Sequence, residues 1–154
     1  NLRREQRQER QHQRREGHRD HVAEVRTGGH LDVLHGVRER PPPGPHAVHV
    51  HESGTCEGDF SSAGGIYNPL GAKHGFLHDE GPMAGDLPNI HVAADGKASG
   101  EILSPFLTLS KEAEETLFDA DGSSLVVFEK QDDYVGEPEG SAGQRVACGT
   151  INSK

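Results

Sequence analysis

His49 and His51 lie two residues apart in the run PPGPHAVHVHE, residues 42–52. A β-strand repeats its side-chain direction every two residues, so both imidazoles project from one face. Imidazole nitrogens bind zinc, copper, iron and nickel, and two of them on a stiff backbone make half of a metal site. The remaining ligands must then come from elsewhere in the chain.

The elements that would position this pair are short. Ala47–Glu52 alternates and is predicted to be a strand. Ser53–Asp86 is dense in Gly, Pro, Asn and Asp, which predicts a long functional loop. Asn89–Ala94 and Ala98–Leu103 flank Asp95-Gly96, a hairpin signal. Leu107–Leu117 is predicted to be a connector with a helical turn. The turn Asp121-Gly122 precedes a strand over Ser124–Phe128, an acidic loop follows over Glu129–Gly143, and Arg145–Ile151 closes the domain. Short strands with regular turns predict an all-β antiparallel sandwich or barrel. With 154 residues, 20 Gly, no Trp and 31% apolar residues, the chain suits one turn-rich β domain with a modest core. No apolar run approaches the ~20 residues that span a bilayer.

Five ordered blocks carry a resemblance: PGPHAVHVHE, GTCEGDFSSAGGIYNPLGAKHG, GPMAGDLPNI, LVVFEKQDDY and GSAGQRVACGTI. Over about residues 42–151 the chain resembles the copper–zinc superoxide dismutase family. The resemblance implies an eight-stranded Greek-key barrel, copper and zinc as cofactors, and the conversion of superoxide to oxygen and hydrogen peroxide. It also implies a homodimer and an extracytoplasmic location. It implies that Cys56 and Cys148, the only cysteines, form a disulfide whose closed loop of ~92 residues stabilises by at most roughly 4–5 kcal/mol.

Ligand by ligand, the resemblance is incomplete. His49 and His51 match two copper ligands, while His74 and Asp86 match two zinc ligands. Ile66 stands where the family has the His shared by both metals, Met83 where it has a further zinc His, and Phe128 where it has the last copper His. Asp132 matches a carboxylate that hydrogen-bonds ligands of both metals. Arg145 matches the cation that guides superoxide to copper. Two ligands remain of four for each metal, and Ile and Phe cannot coordinate. His46 and His91 are expected to be structural or superficial, and His78 a loop residue. The expected function is thus a superoxide dismutase-like protein with a depleted metal site and weak or no activity. The alternative is a working copper-dependent dismutase on the residual ligands.

Residues 1–40 are different in kind. They hold ten of the sixteen basic residues, all Arg, and seven of the twenty-five acids, so the head is near +3 and the rest near −12. Arg-rich segments of this kind bind polyanions, which makes a basic-tailed interaction module a third reading. The reading preferred over nucleic-acid binding comes from the genetic code. His and Asp codons read one base later encode Thr, Ile or Met, and the head holds His12, His18, His21, His30, His35, Asp20 and Asp32. Residues 1–40 are therefore expected to be a frame-shifted version of the family's first three strands, either disordered or forming a polar helix over Leu2–Glu16. The family's first three strands are not expected to form there. The chain starts at Asn1 without Met or an apolar leader, as a processed chain or a fragment would.

Overall fold

A computed structural model describes residues 32–37 and 40–152. Six strands lie among them: β1 Asp32–Val37, β2 Gly44–His46, β3 Val48–His51, β4 Ile90–Val92, β5 Ser123–Phe128 and β6 Arg145–Asn152. The one helical element among these residues is a 3-10 turn, Ser61–Ala63. β1, β6, β5 and β3 form a four-stranded sheet in that order, and β2 pairs with β4; every pairing is antiparallel.

The sequence periodicity explains the layers. Val48, Val50, Leu125 and Val127 alternate along β3 and β5 and enter one apolar cluster with Tyr67, Ala84, Leu87, Leu117, Val146 and Ile151. Full burial of each such side chain is worth about 1.5–3 kcal/mol. The opposite face carries Val126, Phe128 and Cys148, packed with Ala47, Phe60, Ala63 and Ala142. Both faces are covered, so every residue of β3 and β5 is buried. His49 and His51 occupy this second face, under the loops that follow β3 and β5.

Three expectations need correction. Asp32–Val37 is a strand, paired with β6 from Asp32 opposite Asn152 to Val37 opposite Ala147, although its sequence shows no sustained alternation. A long partner strand supplies the ladder, which local propensity alone does not predict. The turn at Asp95-Gly96 closes, with the Ala93 N–H donating to Lys97 O at 2.8 Å, but residues 98–103 form no strand. β4 takes β2 as its partner instead. Leu107–Leu117 has no helical turn; a parallel bridge joins Thr108 to Thr116, and the Tyr67 hydroxyl donates to Thr116 O at 2.9 Å. Residues 1–31, where disorder or a polar helix over Leu2–Glu16 is expected, lie outside the described residues.

Candidate metal centre

β3 is held on both edges. β5 pairs one edge and sets His49 opposite Val126 and His51 opposite Ser124. Loop backbone covers the other: the Val50 N–H donates to Gly85 O at 2.9 Å and the Tyr67 N–H to Val50 O at 2.8 Å. Bridges there join His49 to Asp86 and His51 to Ile66. Directly opposed residues share a face, so these loops bring Asp86 beside His49 and Ile66 beside His51. His49, His51 and His74 are all 0% exposed, and Asp86 and Asp132 are 2% and 3% exposed.

Asp132 ties the group together. The His49 Nε2–H donates to its Oδ2 at 2.6 Å and the His74 Nε2–H to its Oδ1 at 2.9 Å. The Tyr134 N–H adds a third bond at 2.7 Å. Burial by itself would raise the Asp132 carboxyl, but these hydrogen bonds outweigh it and hold it well below the usual carboxylate range. Burial likewise pushes His74 down, yet its contacts with Asp132 and Asp86 win and carry it up to about 10. His51 goes the other way: burial depresses it to about 3, against the bond its Nδ1–H donates to Gly64 O at 2.9 Å. Nearby Arg145 adds to that depression.

Six buried side-chain polar atoms among the described residues lack a hydrogen-bond partner. Two are the hydroxyls of Ser123 and Ser124; the other four are His49 Nδ1, His51 Nε2, His74 Nδ1 and Asp86 Oδ1. Such an atom costs about 1–3 kcal/mol, so native proteins keep few of them. His74 Nδ1 and Asp86 Oδ1 are 2.7 Å apart but not aligned as a hydrogen bond. The second oxygen of Asp86 is occupied by the Gly75 and Met83 N–H groups, at 2.8 and 2.9 Å. Each orphaned imidazole nitrogen belongs to a ring whose other nitrogen is anchored, the usual arrangement for a metal-binding histidine. His49, His74, Asp86 and Asp132 each place a ligand-type atom within 4.8 Å of the others. Within that group Asp132 is the anchor, since both its oxygens already accept hydrogen bonds.

Phe128 closes the face. It is 0% exposed, its ring lying 5.2 Å from that of His49, edge-on, and 5.8 Å from that of His51, stacked. Arg145 arrives through a β-bulge: the register shifts between Val127 and Phe128, so that Phe128 faces Arg145. Bulges re-aim a side chain in this way. The guanidinium donates from Nη1 to Phe60 O at 2.8 Å and from Nη2 to Glu139 Oε1 at 2.9 Å.

The remaining predicted residues fall as follows. Cys56 and Cys148 are joined by a disulfide across 92 residues. Both nitrogens of His46 contact carbonyls, Phe128 O and Pro42 O, each at 2.7 Å, so it offers no free donor. His91 is exposed, and His78 accepts the Glu80 N–H at 3.0 Å in an exposed loop. Sequence reasoning missed Asn89, whose amide clamps the Asp132 backbone at 2.8 and 3.1 Å, and Glu137, which accepts the His74 N–H at 3.0 Å. It also missed Glu139. Asn89 and Glu137 carry no local signal, because their partners lie more than forty residues away, and the pairing of Glu139 with Arg145, six residues on, depends on how the loop between them folds.

The copper/zinc superoxide dismutase family model matches residues 16–151. The chain belongs to this family. The match begins well before Pro42, where the sequence reading began it. Superoxide dismutase [Cu-Zn] 1 of Aquifex aeolicus (strain VF5) is 46% identical over 112 residues, 72% of this chain and 66% of that protein. Superoxide dismutase-like protein YojM of Bacillus subtilis (strain 168) is 39% identical over 122 residues, 79% of this chain and 62% of that one. The chain thus spans slightly under two thirds of the length of these curated relatives. A crystal structure of a Bacillus subtilis SOD-like protein, a double mutant with two residues changed to histidine, superposes with a TM-score of 0.69 at 40% identity, covering 79% of each chain.

Proposed function

We propose that this chain is a superoxide dismutase-like protein with half-filled copper and zinc sites and weak or no dismutase activity. One observation carries the reading: the four orphaned atoms belong to the four residues that match family ligands, while buried Phe128 and Ile66 stand where further ligands would be. On the copper side the residues fit a two-nitrogen site, His49 Nδ1 and His51 Nε2, with Asp132 orienting His49. Copper, when bound, supplies the electron exchange of the family reaction. Arg145 attracts the anion, but Glu139 neutralises it.

On the zinc side the residues do not fit. His74 Nδ1 and Asp86 Oδ1 are two donors where zinc needs four, and they stand 2.7 Å apart. Tetrahedral zinc would hold such a pair roughly 3.4 Å apart. In the metal-free chain the contacts of His74 with Asp132 and Asp86 raise its imidazole, which favours a protonated ring between the two carboxylates. The disulfide supports an oxidising, extracytoplasmic compartment.

Metal analysis after dialysis against a chelator tests the reading. The expected result is little retained metal; near one copper and one zinc per chain would overturn it. Joint substitution Ile66→His, Met83→His and Phe128→His is expected to restore a full copper and zinc complement after chelation, and each one alone to fall short of it.

A further inference from the structure

We propose that His49 and His51, capped by the ring of Phe128, form a site selective for Cu(I) over Cu(II), so that copper bound there stays reduced. This rests on the depleted-site reading and specifies what the copper half accepts.

The donor set is the first argument. Gly64 O can only accept, so the hydrogen of His51 sits on Nδ1 and Nε2 carries a bare lone pair. The bond to the Asp132 carboxylate places the His49 hydrogen on Nε2 and leaves Nδ1 bare. Two nitrogens are therefore presented with their tautomers set. Among the described residues, the other candidate donors nearby are already engaged. Asp132 accepts from His49, His74 and Tyr134. Asp86 Oδ2 is bonded and Oδ1 stands against His74. His46 is engaged at both nitrogens. Val126, Ile66 and Phe128 also lie against the pair, and the Ser124 hydroxyl is opposite His51. Cu(II) prefers a tetragonal set of nitrogen and oxygen ligands. Cu(I) has a filled d shell, no such preference, and tolerates two ligands.

Charge is the second argument. The Born penalty of a dry site scales with the square of the charge, so a divalent ion costs about four times as much as a monovalent one of equal size. The Phe128 ring, edge-on to His49 and stacked on His51, adds apolar carbon there and no ligand atom. It cannot swing aside to admit ligands, because it is fully buried and interiors are close-packed.

The test uses the full, disulfide-intact, metal-free chain. It is titrated anaerobically with Cu(I) against a bathocuproine chelator, with hydroxylamine rather than a thiol as reductant, and separately with Cu(II) against nitrilotriacetate. One Cu(I) per chain, two nitrogen scatterers by X-ray absorption, and Cu(II) held more than about tenfold more weakly are expected. Equal or tighter Cu(II) binding, a four-donor shell in the Cu(I) form, or no Cu(I) uptake would overturn the inference. The depleted-site reading fails separately, by a full complement of copper and zinc after chelation. Phe128→His is expected to raise Cu(II) affinity more than about tenfold by adding a nitrogen; an unchanged preference in a folded variant counts against the inference. Ile66→His, on the face of His51, makes the same comparison if the first variant does not fold.

Discussion

Arg145 and Glu139 form an ion pair at 2.9 Å, with the two side chains 18% and 24% exposed. Arg145 is thereby already satisfied at the position where the family guides its anionic substrate. A pair this exposed contributes only about 0–1 kcal/mol to stability, so its consequence is for reactivity rather than folding. Glu139→Gln is expected to leave the unfolding midpoint almost unchanged while making Arg145 several-fold more reactive toward an arginine-specific dicarbonyl, read by mass spectrometry. Unchanged labelling of Arg145 would show that Glu139 does not mask it.

Gly140 has φ +67, and a Cβ there would collide with Asp132 Oδ1 and approach His74 Nε2 at 2.9 Å. Gly140→Ala should therefore displace the carboxylate that anchors both histidines. Gly58 has a similar φ of +59 with open space around it, which makes it the control. Both substitutions carry the strain of left-handed backbone, about 1 kcal/mol, and Gly140→Ala is expected to cost at least about 2 kcal/mol more in urea unfolding. Equal losses would mean that the crowding around Asp132 relaxes freely.

The metal-free protein should be most stable near pH 6.5. His74 is raised to about 10, so its contribution is fully present below its unfolded value of 6.5 and is lost as pH rises toward 10. His51 is lowered to about 3, so the unfolded chain binds a proton that the native one refuses, and stability falls from pH 6.5 toward 3. Asp132, also depressed, steepens the acid limb below the ordinary carboxylate range. Each histidine limb has a limiting slope of about 1.4 kcal/mol per pH unit. Urea titrations of chelator-treated protein across this range check it; a plateau extending to pH 9 would rule out a charged His74.

The disulfide pins the loop after β3 to β6 across 92 residues. Opening it frees a long loop in the unfolded chain, which predicts a loss of at most about 4–5 kcal/mol. The native chain and a Cys56→Ser, Cys148→Ser variant should differ accordingly in urea midpoint; indistinguishable midpoints would refute the estimate.

The sequence by itself determined what depends on short-range period and residue type. His49 and His51 share a face because strand side chains alternate, and both are where that rule puts them. Ile66 and Phe128 are incapable of coordination in any fold, and the ordered blocks named the family and paired Cys56 with Cys148. What depends on partners distant in the chain was decided by the tertiary structure. β1 forms because β6 lies alongside it, and residues 98–103 stay irregular because β4 pairs with β2. The bulge at Val127 and Phe128 turns Arg145 onto the site, and the loop beyond β5 then folds Glu139 onto Arg145 and Gly140 onto Asp132. Alternation is a property of neighbouring residues and can be read along a chain. A bulge, an ion pair closed by a loop and the choice between two partner strands follow from packing and hydrogen bonding of the whole, and exist only once the sheet has closed.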